Sequence, residues 1–231
     1  MKILCLANSF RVGGRCVGGI LLNQENIPVL LQSGRPKWVR PVFNAEHEEV
    51  PVRLVSGINL LDVVEFDELE MTGHDHQTEN VLFNSNTIRT AGRLDIAVLE
   101  SLIDNNRYAL LFGNRGAAVP EEKIGELSYS LSLVLLEEFE TNERVFEGKP
   151  YPQIKLSFRY RGNPYNFPIT DPVFLDQYKR NNGILNGRNR IYATLSLAAP
   201  HQEWSSKLVA GIIIGENSNA EVEDFDISGF F

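Results

Sequence analysis

The chain has 231 residues, is 43% apolar and 23% charged, and carries a net charge of −8, the profile of a globular protein with one large or two small domains. Its longest apolar run, Leu208 to Ile214, falls far short of the ~20 residues a membrane helix needs. The start MKILCLANSF is too poor in charge and too short in apolar residues for a secretory leader, so the expectation is a cytoplasmic protein. Cys5 and Cys16 could pair across a hairpin, but a reducing compartment favours two thiols.

Strand signals come first. KILCLA (2–7), PVLLQ (28–32), WVRPVF (38–43), EVPVRLV (49–55) and DVVEFDELEM (62–71) are short, rich in Val, Leu and Phe, and bounded by Gly, Pro or Asn. They predict a small antiparallel barrel, which VLFNSNTIRT (81–90) extends. Between the first two strands, SFRVGGRCVGGILL (9–22) lacks the Lys-Ser/Thr pair of a phosphate-binding loop. It reads as a hairpin turn with positive φ, although Arg11 and Arg15 beside the Gly13 and Gly14 amides could hold a phosphate. LDIAVLESLID (94–104) has helical spacing. GNRGAAVPEEKIG (113–125), rich in glycine and charge, reads as a connecting loop.

A second series follows. LSYSLSLVLLEEFETNERVF (127–146) predicts a long, bent strand. QIKLSFRYRGNPYNFPIT (153–170) predicts a hairpin turning at RGNP, with Ile154, Leu156, Phe158 and Tyr160 on one face. Asp171 supplies an N-cap and Pro172 a first helical residue for PVFLDQYKRN. RIYATLSLA (190–198) and KLVAGIIIG (207–215) add two strands. A long strand, a hairpin, a helix and a closing hairpin match an OB-fold barrel, which has its helix between the third and fourth strands. The fold expected is mainly β: two small OB-like antiparallel barrels in tandem, each with a short helix. The first covers 1–112, a connecting loop 113–126, the second barrel 127–215, and a disordered acidic tail 216–231.

Charge is segregated along the chain: +5 over 1–42, −14 over 43–148, +6 over 149–210 and −5 over 211–231. OB-folds hold single strands with a basic groove for phosphates and aromatic rings for bases. Candidates for that work are Arg11, Arg15, Arg35, Lys37, Trp38 and Arg40 in the first half. In the second half they are Arg159, Arg161, Tyr165, Lys179, Arg180, Arg188, Arg190 and Tyr192. Alternation sets Arg159 and Arg161 opposite Phe158 and Tyr160, with Trp38, Tyr165 and Tyr192 as the stacking candidates. GHDHQTE (73–79) places His74, His76, Asp75 and Glu79 close together without a clear third ligand, so no metal is assigned. No nucleophile elbow is present, and no cofactor or catalytic residue is assigned; the protein is not expected to be an enzyme.

MKILCLANSFRVGGRCVGGI, PITDP (168–172) and WSSKLVAGII (204–213) together resemble the bacterial dual OB-containing domain, two consecutive OB-folds found with genome-conflict and defence genes. The resemblance implies a nucleic-acid partner and no catalytic residue. The last residues, ENSNAEVEDFDISGFF (216–231), resemble the acidic tip of bacterial single-stranded-DNA-binding proteins, with Ser228-Gly229 where that family has a proline. That likeness implies a protein partner for Asp224, Asp226, Phe230 and Phe231. The combined reading is a protein that binds single-stranded nucleic acid with a recruiting tail. A protein-interaction module and, further off, a metal enzyme using the His74–His76 loop are the alternatives.

Overall fold

The computed structural model describes residues 1–45, 48–73, 76–148 and 150–215. The first barrel is built from β1 (Lys2–Arg11), β2 (Gly14–Leu22), β3 (Trp38–Val42), β4 (Asp62–Glu65), β5 (Glu68–Met71) and β6 (Asn80–Phe83), with β7 (Arg89–Arg93) outside β4. Its ladder runs β5-β6-β3-β2-β1-β4-β7. β4 and β5 stand at opposite positions in that ladder, yet only Phe66 and Asp67 separate them. They are two halves of one bent strand, so the sheet has to curl until the barrel closes. β3 and β6 pair in parallel while the other partners are antiparallel, the order of an OB-fold. The β1–β2 turn is Val12-Gly13, with Gly13 at φ +81°, so the glycine-rich segment is a hairpin.

In the first half of the chain, three elements differ from expectation. Residues 28–32 make only isolated bridges from Leu22 to Pro28 and from Leu30 to Pro36, because prolines bring no N–H to a ladder. The 49–55 segment turns into a short helix, α1 (Val52–Val55), behind Pro51; it fills the helix position between the third and fourth strands. The segment 94–104 forms a 3-10 turn, Ile96–Ser101, capped by Asp95, whose side chain accepts from the Ala97 amide (2.8 Å). Ile96, Leu99 and Leu102 recur every third residue, which suits three residues per turn.

The second barrel comprises β8 (Ala118–Pro120), β9 (Leu131–Leu136), β10 (Phe139–Arg144), β11 (Gln153–Tyr160), β12 (Asn163–Pro168), β13 (Ile191–Leu197) and β14 (Trp204–Ile214). β9 and β10 are the bent strand: β9 pairs with β13 and β10 with β11. The β11–β12 turn is Arg161-Gly162, both at positive φ (50° and 75°), as a tight hairpin requires. Asp171 caps α3 (Pro172–Arg180) by accepting from Val173 and Phe174, and its other oxygen accepts from Ile212 of β14 (3.1 Å). The 113–125 stretch holds more than a connection: β8 pairs with β14, and α2 (Glu121–Ile124) buries Ile124.

Three apolar clusters line up through the molecule. Ile3, Cys5, Val17, Val39, Val64 and Phe83 fill the first barrel, and Leu156, Phe158, Phe167, Leu195 and Val209 the second. Between them, Leu4, Leu6, Ile20 and Trp38 of the first barrel meet Leu131, Leu133 and Tyr192 of the second, with Leu99 and Leu102 packed alongside. Each fully buried Leu or Ile contributes about 1.5–3 kcal/mol, so this middle cluster far outweighs the few polar bridges and holds the barrels as one body. Backbone meets backbone here as well. Phe10 N donates to Thr170 O (2.8 Å), and Gly211 lies against the Leu6 carbonyl, where β1 and β14 both bulge. Both cysteines are free; Cys5 faces Gly19 and Cys16 faces Ser9 across the hairpin, so neither meets the other. Burial pushes the Cys5 thiol up to about 12.

Lys207 on β14 is fully buried. Its ammonium donates to Leu111 O (2.7 Å), Asn114 O (2.8 Å) and Asn114 Oδ1 (2.9 Å), pinning the segment that joins the barrels. Burial pushes its pKa down to about 7 from 10.5.

Two outcomes follow from this packing. A methyl at Gly211 collides with the Leu6 carbonyl, whereas Gly57 has open space around it; in urea denaturation Gly211→Ala should lose about 1–3 kcal/mol, and Gly57→Ala less than about 0.5 kcal/mol. Between pH about 7 and 10.5 the unfolded chain binds a proton on Lys207 that the folded chain has released, so this group makes stability rise with pH. A Lys207→Met variant should lose that rise, measured as the difference in urea midpoint slopes against pH; identical slopes would refute it.

Candidate nucleic-acid interface

An OB-fold takes oligonucleotides on the outer face of its second and third strands, flanked by the first–second and fourth–fifth loops. In the first barrel that face is β2 and β3, and the second barrel covers it. The outward residues Ile20 and Trp38 lie in the middle cluster, and Leu131 comes up against Gly18. Arg40 is 1% exposed and paired with Glu79 at 3.0 Å. Its guanidinium also donates to Asn80 Oδ1 (3.2 Å) and to Ser130 Oγ (2.7 Å), and the Ser130 hydroxyl donates to Glu79. Arg35 reaches across to Leu131 O (2.8 Å) with its guanidinium over Tyr129, 5.0 Å from the ring centre. The expectation that Arg35, Trp38 and Arg40 line a groove is therefore corrected: they join the barrels, because a buried guanidinium needs fixed acceptors. Lys37 is half-buried.

Arg107 repeats the theme from the other side. It pairs with Asp104 (2.9 Å) and donates to Ser33 O and Gly34 O. Burial raises the Asp104 carboxyl above the usual carboxylate range, against the pull of Arg35, Ser132 and Arg107.

The equivalent face of the second barrel is β11 and β12 with β10 beside them, and it is turned to solvent. Its outward row crosses three strands: Glu140 opposite Ser157 opposite Asn166. Asn142 Nδ2 donates to Ser157 Oγ (2.8 Å). A cleft of about 590 Å³ lies over the row, with Arg115 and Arg159 among its walls. Arg159 is exposed and shared between Glu138 (3.3 Å) and Gly162 O (3.1 Å). Arg161 sits in the turn and reaches Tyr108 O (3.4 Å). Strand alternation ends at this turn, so Arg161 reaches the same Tyr108 carbonyl to which the Tyr160 hydroxyl donates, while Arg159 stays outward.

The aromatic candidates are placed differently. Tyr165 is 4% exposed, stacks with Phe158 and accepts from the Leu111 amide (3.2 Å). Tyr192 is buried in the middle cluster and donates to Glu100 (2.6 Å). Both are corrected from stacking platforms to packing residues: on a strand their parity points them inward or into the barrel contact. Arg190 pairs with the same Glu100 (3.0 Å). Lys179, Arg180 and Arg188 are exposed at and beyond the end of α3, Arg180 held by Asp176. Arg11 pairs with Glu48 (3.7 Å), and Arg15 lies over Phe10, 4.4 Å from the ring centre. Those two stay on the first hairpin, away from the open face.

Residues that strand reading passed over complete the face. The loop from β10 to β11 displays Phe146 and Tyr151, with the Arg144 guanidinium 4.6 Å from the first ring centre and the Lys179 ammonium 6.0 Å from the second. On β11, Lys155 stands opposite Asn142, its pKa lowered by burial and by the Arg144 charge. The sequence signal was present in Pro150-Tyr151-Pro152, an aromatic locked between prolines in a polar loop, where packing gives no reason for it.

His74 and Asp75 of the His loop, and tail residues Asp224, Asp226, Phe230 and Phe231, lie outside the described residues. Glu79 is committed to Arg40 and Ser130. Among the described residues there is no group of three or more His, Cys, Asp or Glu placed to hold a metal, and no helix is long and apolar enough to cross a membrane.

A search of the curated proteins finds no match. Among solved structures, one described as the molecular basis for abrogation of activation of pro-inflammatory cytokines matches at 8% identity. It covers 93% of this chain and 91% of that one, with a TM-score of 0.33. A replication protein A heterotrimer bound to ssDNA matches at 11% identity and TM-score 0.36, covering 95% of this chain and 49% of that one. Neither superposes closely enough to add to the strand topology. That topology, two five-stranded barrels with a helix between third and fourth strands in each, agrees with the family model that matches residues 1–212, and the chain belongs to the dual OB-containing domain family.

Proposed function

We propose that this chain is a non-catalytic nucleic-acid-binding protein that takes a single strand along the outer face of β10, β11 and β12. The observation that carries this reading is the asymmetry of the two barrels. One such face is filled by its neighbour, and the other is open: Glu140, Ser157 and Asn166 cross its middle, Arg144, Lys155 and Lys179 stand at one end, and Arg115, Arg161 and Arg159, the last paired with Glu138, stand at the other. Cations at such spacing follow phosphates, and exposed rings at one end suit unpaired bases. The genome-defence setting implied by the family resemblance belongs to the same proposal.

The acidic tail has two proposed roles. Its five carboxylates can compete with phosphate for the open face, and Phe230 and Phe231, with Asp224 and Asp226, can dock on a protein partner. A second reading, a protein-interaction module, has one observation in its favour. A groove of about 930 Å³ runs between the barrels beside the first hairpin, where Phe10 and Val12 are 52% and 72% exposed.

Anisotropy titration with labelled single- and double-stranded oligonucleotides at two salt concentrations separates the readings. Tighter single-strand binding that weakens with salt is expected; no binding at low salt would favour the interaction module. Changing Arg159 and Arg161 to Ala should reduce the salt slope by about 0.7 for each phosphate that is no longer neutralised. Arg40→Met should leave the slope alone and cost about 3–5 kcal/mol of stability, since it strands the buried Glu79. Removing residues 216–231 should tighten single-strand binding, and equal affinity with and without them would reject self-competition.

A further inference from the structure

Building on the nucleic-acid reading of the open face, we propose that Phe146 and Tyr151 are the residues on which unpaired bases stack. Their exposure separates them from the aromatics of β11 and β12. Tyr151 is 76% exposed and Phe146 37%, while Phe158, Tyr160, Tyr165 and Phe167 are each buried in the interior. Packing therefore does not account for them.

Their surroundings suit a base. Each ring carries a cation over its face, Arg144 on Phe146 and Lys179 on Tyr151, an arrangement that attracts a flat, electron-rich ring and supplies charge for the adjoining phosphate. Glu147 follows Phe146 on the exposed side of the loop, while Glu143 accepts from the Tyr178 hydroxyl (3.3 Å). Tyr151 is also held ready. Pro150 and Pro152 flank it, and a residue preceding proline is confined to extended backbone. Gly148, at φ +74°, takes a backbone conformation that favours glycine. A platform already ordered loses less entropy when it binds.

The two rings stand at the first–second strand loop of the barrel whose outer face is open, beyond Arg144, which follows Glu140 and Asn142 at alternate positions along β10. A strand stacking here runs onto that row and toward Arg159. A duplex, whose bases are already stacked on one another, cannot use the rings in this way. Phe146 and Tyr151 thus set the preference for single strands, and the cations set overall affinity.

The test is anisotropy with a fluorescein-labelled single strand of about 15 nucleotides, within the site size of one barrel, and the duplex of the same sequence. Phe146→Ala and Tyr151→Ala should each weaken single-strand binding by roughly 5- to 150-fold, with salt slope and duplex affinity unchanged. Tyr151→Phe should retain wild-type affinity, and circular dichroism should show the variants folded. Single-strand affinity unchanged in both Ala variants overturns the assignment while leaving the nucleic-acid reading intact. So does an equal loss for the duplex, or a reduced salt slope, since either would mean that the rings only position the cations. A wild-type protein that binds neither oligonucleotide at low salt overturns the underlying reading, and the stacking assignment with it.

Discussion

Leu131 and Leu133 belong to the second barrel by topology and to the first by contact. They stand on the outer side of β9 and press into the outer side of β1, β2 and β3, against Leu4, Leu6, Ile20 and Trp38. The arrangement of the barrels depends on this sheet-against-sheet contact. It makes strands of both barrels apolar on both faces, which explains why KILCLA and LSLVLL read as nearly continuous apolar runs. It also demands close approach, and the small residues Gly18 and Gly211 sit where β9 and β14 touch β2 and β1.

Polar groups trapped by that contact have to be satisfied within it. Arg40, Glu79, Ser130 and Asn80 form one hydrogen-bonded set, and Asp104, Arg107 and Ser132 another. Buried ion pairs of this kind contribute little net stability compared with apolar replacements, but removing one partner leaves a charge stranded. Their effect is on geometry: the Arg40 guanidinium holds Glu79 and Asn80 of its own barrel and Ser130 of the other, so the apolar faces can meet in one register. Lys207 does the same for the joining segment, tying Leu111 and Asn114 to β14 without any carboxylate.

A functional asymmetry results. Two barrels of one topology are stacked so that the ligand face of the first meets the back of the second, which leaves the face of β11 and β12 facing solvent. A tandem repeat thus presents one open face among the described residues, and the inter-barrel groove beside Phe10 is what remains near the first hairpin. The proposed strand path is correspondingly short, confined to one barrel and its β10–β11 loop.

Local chemistry made much of this legible from residue order alone. Asp171-Pro172 marked the start of α3 because a carboxylate cap and a fixed φ act within one turn. The RGNP stretch marked a hairpin because glycine, asparagine and proline favour turns locally, and the inward parity of Leu156, Phe158 and Tyr160 followed from the strand period. Prolines at 28, 36 and 51 should have weighed against strands at 28–32 and 49–55, since a missing N–H is equally local. What the order of residues did not decide is which cations and rings stay in water. Arg40 and Arg159 are alike as letters, each outward on a strand, yet one is sealed beneath Ser130 and the other lies open. That difference arises when β9 packs onto β3, a meeting of residues about 90 positions apart, and a pattern of period two records which face a side chain takes but not what comes to cover that face.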